Sequence, residues 1–441
     1  MENAYPFPTA EVEIRKTGQI YDQGQVERAV ALAANATDIL VIAHGWQNGK
    51  AQARALFREL TTSIRAVREE AEAENRSRLV VVGLLWPSVA WADESDIPAG
   101  GAAMGVEPRT LQAHIEEDID DLSASRELTR LAPDLDRQDA RTEFVDTLRA
   151  LVPGAGGEDI DSPPQSFLSG DPIETFQKAT EFESEDWDED APSWGGAAVS
   201  GPGGGPGTGF PVGTPPGGGG AMRAPGFRQP FSEGAHRLLN LTTYYRMRKR
   251  TTDVGGIGAA SVLTRLGETD ARLHVAGHSM GARVISVAAN EPGPPVHSMT
   301  LLQGAFSHYG FAHNYDGKGA NGLFRPVLTG SRLAGPVLVT HTTNDSVVKW
   351  PYWFASFLAR QVGVGNALVK SGRYGAIGSS GALATPEATD KALLSVGSQY
   401  GFEPREVYNL QADEFIRSHS DVRGRQAAYA ILTAMFRDGQ S

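Results

Sequence analysis

The stretch Leu273-His-Val-Ala-Gly277-His278-Ser279-Met280-Gly281-Ala282 decides how the rest of the chain is read. An apolar run, Leu273 to Ala276, enters a Gly-x-Ser-x-Gly pentapeptide, and Ala282 to Ala289 reads as a helix leaving it. A strand, this pentapeptide and a helix make a sharp turn that presents the serine hydroxyl at the sheet edge. The flanking glycines are needed because a β-carbon there would clash with the neighbouring strand and helix. The helix start adds backbone N–H groups and a positive dipole end. Glycine patterns arise easily by chance in a chain with 51 glycines. The strand before and the helix after favour a nucleophile at Ser279.

Working outward, further apolar runs read as buried strands: Ile39-Leu-Val-Ile-Ala43, Leu79 to Leu85, Met299-Thr-Leu-Leu302 and Val337-Leu-Val-Thr340. Continuous β-branched runs without polar alternation suit a parallel sheet covered on both faces. Between the first two, Leu56, Leu60, Ile64 and Val67 recur at helical spacing among Arg and Glu, giving an amphipathic helix. Strand and helix alternate, so the fold class is α/β with a doubly wound, mostly parallel sheet.

The segment 92–234 interrupts that alternation. Thr110 to Leu128 and Asp136 to Leu151 look helical; an acidic run over Glu181 to Asp190 follows. Between Gly195 and Gly220 there are 13 Gly and 5 Pro among 26 positions, a composition with little to bury and a large ordering entropy. The chain divides into a first core part at 1–91, a lid-like insertion at 92–234 and a second core part at 235–441. A helix through His236 to Met247 resumes the core. The alternative is an independent small helical domain tethered at the same place.

Composition excludes several classes. With 40 Lys+Arg against 53 Asp+Glu the net charge is −13, unsuited to general nucleic-acid binding, which needs many cationic contacts to phosphate. The absence of cysteine removes disulfides, thiolate metal sites and a cysteine nucleophile. The N-terminal residues lack a secretory pattern, and no apolar run reaches the length of a membrane span. The expectation is a cytoplasmic protein without stable membrane insertion; its oligomeric state is not readable.

A serine at its ordinary pKa is a weak nucleophile and needs a base and an orienting acid. Ten histidines compete. His274 and His341 fall inside predicted strands, His114 and His236 in or beside the insertion, and His297, His308 and His313 precede the candidate acid. His419, in Arg417-Ser-His-Ser-Asp421, follows a last apolar run at Val407 to Leu410 and can swing over the sheet edge. Asp345 lies just beyond the predicted strand Val337 to Thr340, where it could hold the imidazole tautomer; Asp316, Asp413 and Asp421 are its competitors. The developing oxyanion needs N–H donors in place. Met280 N–H is one, and Trp46 N–H, in the loop His44-Gly45-Trp46-Gln47, is the other, unless that loop is an ordinary strand-to-helix turn.

His44, Gly45, His278 and Trp350 are further candidates for substrate contact. The aromatic cluster Trp350-Pro-Tyr-Trp-Phe354 reads equally as core, as do Trp86 and Trp91. The acidic groups Asp93–Asp96 and Glu116–Asp121 have no histidine at ligand spacing and read as solvated faces, and no phosphate-binding loop is present, so neither a metal nor a cofactor is expected.

These pieces resemble the α/β-hydrolase superfamily, near bacterial lipase- and esterase-like members with a Gly-His-Ser-Met-Gly elbow, over about 36–90 and 235–435. The resemblance implies an eight-stranded sheet, a Ser279–Asp345–His419 triad and an oxyanion hole from Trp46 and Met280, with lids commonly inserted beside the site. It implies a serine hydrolase acting on a small-molecule or lipid-like carboxylic ester. Thioesterase, peptidase and acyltransferase chemistry use the same constellation. A non-catalytic scaffold that binds a partner through 92–234 is the alternative of a different class. The size of that insertion and the Gly-rich stretch Gly363 to Gly381 depart from the family pattern.

Overall fold

The structure is a computed structural model that describes residues 5–70, 77–88, 110–152, 162–182, 229–359 and 375–436. The segments 195–220, 183–190, 93–96 and 363–374, and Trp91, lie outside the described residues.

Eight strands form one sheet: β1 (Thr9–Glu13), β2 (Asp38–Ala43), β3 (Leu79–Leu85), β4 (Arg272–His278), β5 (Ser298–Leu302), β6 (Val337–His341), β7 (Ala388–Ala392) and β8 (Val407–Gln411). Their order is β1-β3-β2-β4-β5-β6-β8-β7, and every pairing is parallel. The class is therefore α/β, with the pairing wholly parallel rather than mostly so. β2 and β3 are buried along their whole length because helices cover both faces.

Alternation along the strands divides two cores. Leu40, Ile42, Ala276, Leu338 and Leu410 face the helices Lys50–Glu70 and Arg425–Met435. Ile39, Val41, Val275, Leu301 and Val339 face Gln23–Ala33, Gln229–Asp253 and Met280–Asn290. Successive strand side chains point to opposite faces, so one register serves both layers. In Lys50–Glu70 the stripe Leu56, Leu60, Ile64 and Val67 is buried, and each such side chain contributes about 2 kcal/mol on leaving water.

The edge strands β1 and β7 carry no apolar run; β7, Ala-Thr-Asp-Lys-Ala, is half-buried to exposed throughout. Between β3 and β4 lie the helices Leu111–Asp118, Leu122–Leu131, Gln138–Leu151, Gln165–Ser169 and Pro172–Glu181, then Gln229–Asp253. The last contains the predicted His236–Met247 helix and extends it at both ends; Pro230 sits in its first turn, where a missing N–H costs nothing. Ile115, Phe144, Phe167 and Phe176 of this segment belong to the same buried cluster as the sheet face. Its helices thus share the core rather than build a separate one.

Strand order also marks a switch point in the sheet. From β2 the chain turns back to β3, while from β4 it moves on to β5, yet β2 and β4 are hydrogen-bonded neighbours. Connections leave their carboxyl ends in opposite directions, the point at which open α/β sheets form binding crevices. His44-Gly45-Trp46 leaves β2 there, and Ser279 leaves β4.

Candidate functional site

Ser279 follows β4 directly and precedes the helix Met280–Asn290, with φ 57° and ψ −124°. A non-glycine residue at positive φ is strained, and such strain persists where surroundings over-determine it. The neighbours supply that constraint: Ser279 N–H donates to Leu302 O at 2.9 Å, and Ala305 N–H donates to Ser279 O at 3.1 Å. A β-carbon on Gly281 would run into the carbonyls of Ala43 and His44, so only glycine lets the helix approach β2. On Gly45 it would come within 2.8 Å of Ser279 Cβ. The loop after β2 is thereby seated against the serine. Met280 N–H, at the first helical position, has no acceptor within its own helix.

His44 anchors the same loop. Its Nδ1 lies 3.0 Å from Gly45 O, Trp86 N–H donates to its Nε2 at 3.2 Å, and Trp86 Nε1 donates to His44 O at 2.9 Å. These partners fix the Nδ1–H tautomer. Full burial pushes its pKa down to about 4, against the opposing effect of the Gly45 carbonyl. Both ring nitrogens are engaged by backbone, and Trp86 stacks on the ring at 5.4 Å between centroids. Gln47 N–H donates to Ser88 O at 3.0 Å, tying the loop to the β3 exit.

Asp345 and His419 meet. His419 Nδ1 lies 2.7 Å from Asp345 Oδ2, and the carboxylate is fully buried. Asp345 Oδ1 accepts from the N–H groups of Val347 and Val348, at 3.1 and 3.2 Å, at the start of the helix Ser346–Ala359. Burial raises the carboxyl pKa, but the His419 charge and hydrogen bond, the Val348 N–H and Gln303 together outweigh it and hold the group below its ordinary value. It is ionised at neutral pH. His278, the residue before the serine, directs Nε2 at His419 O, 2.8 Å away, and its ring lies 4.7 Å from the His419 ring. Burial, with the His419 charge beside it, lowers the His278 pKa to about 3, so His278 is a neutral brace. Among the described residues no hydrogen bond joins Ser279 Oγ to His419. The row is closed at the acid and open at the serine.

The competing acids, and the two histidines of the inserted region, are engaged in contacts of their own. Asp316 Oδ1 accepts from Lys318 and Ala320 N–H within its own loop. Asp413 is held by Thr342 and Thr343, and Asp421 accepts from Arg417 N–H. His114 and His236 contact each other, 2.7 Å apart, between the inserted helices and Gln229–Asp253. Asp120 bonds Arg246 and Arg250, and Asp121 caps Leu122–Leu131. Among the described residues no group of three or more His, Asp or Glu is placed to hold a metal ion, and no helix is long and apolar enough to cross a membrane. Trp350 is buried and stacks on Phe354 at 5.2 Å.

Gln303 was not among the sequence candidates. It is fully buried, has φ 47°, and its Nε2 donates to Asp345 Oδ2 at 3.2 Å. No pattern in the sequence marks it; its one signal is its place immediately after a predicted strand between elbow and acid.

No protein-family model, no curated protein and no solved structure matches the chain.

Proposed function

We propose that the chain is a serine hydrolase that cleaves carboxylic esters through an acyl-enzyme intermediate, as the resemblance to α/β-hydrolases implies. The observation that carries the reading is the Asp345–His419 pair at 2.7 Å, braced against the residue that precedes a strained, strand-terminal serine. In this mechanism Asp345 accepts from His419 Nδ1–H and leaves Nε2 free to take the Ser279 proton. Ser279 Oγ attacks the acyl carbon, and the tetrahedral oxyanion is held by the N–H groups of Met280 and Trp46. Collapse breaks the ester C–O bond, with His419 returning the proton to the leaving alcohol. Water, deprotonated by the same imidazole, then releases the acid and frees Ser279.

Closing the Ser279–His419 bond is assigned to substrate binding, since catalytic hydrogen bonds are commonly long before a complex forms. The inserted helices lie on the acid side of the site. Phe182 packs edge-on against Phe354, on the helix that Asp345 caps, at 5.2 Å between ring centroids. This supports reading 92–234 as a wall or lid of the acyl pocket.

The open serine end favours one other reading, a non-catalytic scaffold of the same shape. A fluorophosphonate probe with peptide mapping separates the two, and p-nitrophenyl esters of graded chain length then define the acyl preference. Stoichiometric modification at Ser279 is the expected result. An unmodified chain, folded by circular dichroism, would leave the scaffold reading in place.

A further inference from the structure

We infer that Gln303 is a positioning residue that fixes the Asp345 carboxylate relative to the serine turn; this rests on the reading of Ser279, His419 and Asp345 as one relay. The turn that leaves β5 touches both ends of that relay within four residues. Leu302 O accepts from Ser279 N–H at 2.9 Å, and Ala305 N–H donates to Ser279 O at 3.1 Å. Between them, Gln303 directs its side chain across β6. Its Nε2 donates to Asp345 Oδ2 and to Gly378 O, each at 3.2 Å. Its Oε1 accepts from Thr340 Oγ1 at 3.0 Å, and its own N–H donates to Thr340 Oγ1 at 3.1 Å.

The orientation of the amide follows from its partners. A carboxylate oxygen and a peptide carbonyl only accept, so the end that faces them must be the NH2 group; the hydroxyl of Thr340 can donate to the oxygen. Register explains the reach, because Leu302 pairs with Thr340 and Gln303 is the next residue out. At φ 47° the backbone turns sideways there. A glycine would take that φ without strain but would leave a buried carboxylate oxygen and a buried hydroxyl short of partners.

The chemical consequence concerns the carboxylate plane. Two backbone N–H groups hold Oδ1, while Oδ2 is shared by His419 Nδ1–H and Gln303 Nε2–H. With donors on both oxygens, Asp345 cannot swing away when His419 becomes charged. The β5 turn then sets the nucleophile's backbone and the acid's side chain in one frame.

The test compares Gln303→Met, which keeps length and deletes the donor, with Gln303→Glu, which donates only while protonated. Two measurements are made on folded protein: the rate of fluorophosphonate modification of Ser279 from pH 5 to 9, and the NMR signal of the His419 Nδ1 proton. Gln303→Met is expected to slow modification about 10- to 100-fold, with little change in probe affinity, the range for losing a hydrogen bond to an ionised group. Its Nδ1 proton signal broadens or disappears. Gln303→Glu recovers part of the rate at low pH and loses it as pH rises, a dependence that a packing role would not produce. Wild-type rates together with an unchanged Nδ1 proton in both variants would overturn the inference. If wild-type Ser279 is not modified at all, the hydrolase reading fails instead, and the Nδ1 proton still decides the role of Gln303.

Discussion

The two rims of the central strands each carry a serine, a histidine and an aspartate, and they differ in the backbone that holds them. At the amino ends His274 Nδ1 lies 2.8 Å from Ser298 Oγ, and His274 Nε2 lies 3.2 Å from Asp38 Oδ1. That row is continuous. It stands on regular strand backbone, with Asp38 0%, His274 1% and Ser298 2% exposed, against 5% for Ser279. Asp38 is also held by Arg272, Ser77 and Thr37. At the carboxyl ends the row is incomplete, yet Ser279 sits at positive φ where a helix begins, at the point from which the connections diverge. A row of three hydrogen-bonding side chains is therefore not what distinguishes a nucleophile. Backbone strain and a place at a strand-to-helix turn are what the amino-end row lacks.

The largest effect should separate the two serines. Ser279→Ala is expected to abolish probe modification and to lower kcat on the order of 10⁶-fold if the three residues act as a unit. Ser298→Ala should modify at the wild-type rate. Equal loss in both variants would erase the distinction between the rims, and peptide mapping would show it directly.

The two aspartates should then diverge in kind. Asp345→Asn leaves the fold in place and costs about 10⁴ in kcat, because an amide no longer selects the Nδ1–H tautomer. Asp38→Asn is expected to leave the rate per folded molecule unchanged and to reduce stability by about 3 kcal/mol, the scale for breaking a buried pair. Urea unfolding and ester turnover on the same samples give both quantities. A slow but fully stable Asp38→Asn enzyme would mean that the amino-end row reaches the site after all.

The same contrast shows what a sequence displays. The inner strands were legible because β-branched runs such as Ile39–Ala43 are apolar on both faces, and the elbow because its glycines have steric work to do. Order along the chain points to Asp345 and His419, and the structure brings these two together. The edge strands β1 and β7 escaped notice because a strand paired on one side needs no apolar run. The helix Ser346–Ala359 was hidden by Pro351 inside it, and its aromatic cluster, read as pocket or core, is buried at Trp350, Tyr352 and Phe354. Gln303 and the buried row at Asp38 depend on register across strands, Leu302 with Thr340 and His274 with Ser298, which no local pattern encodes.

The smallest effects are in the acid dependence of stability, where the buried histidines His44 and His278 titrate in a different window from Asp38. His44 and His278 have folded pKa values lowered to about 4 and about 3, against about 6.5 for an unfolded histidine. Below pH 6.5 the unfolded chain binds protons that these buried rings refuse, so their contribution is complete above 6.5 and is lost as pH falls through 4 and 3. Burial lowers the pKa of His274 too, against the opposing hydrogen bond to Asp38. Asp38 is different. Burial would raise it, but His274, Ser77, Thr37 and Arg272 bring it down to about 2, so its contribution is complete above about pH 4 and is lost towards pH 2. The expected result is that the stability deficit of His44→Gln shrinks by about 3 kcal/mol between pH 6.5 and 4. The deficit of Asp38→Asn stays constant there and shrinks by about 2 kcal/mol only below pH 4. Urea midpoints at half-unit pH steps resolve these windows. Deficits that shrink together across one range would mean that the two rims open as a single acid-sensitive unit.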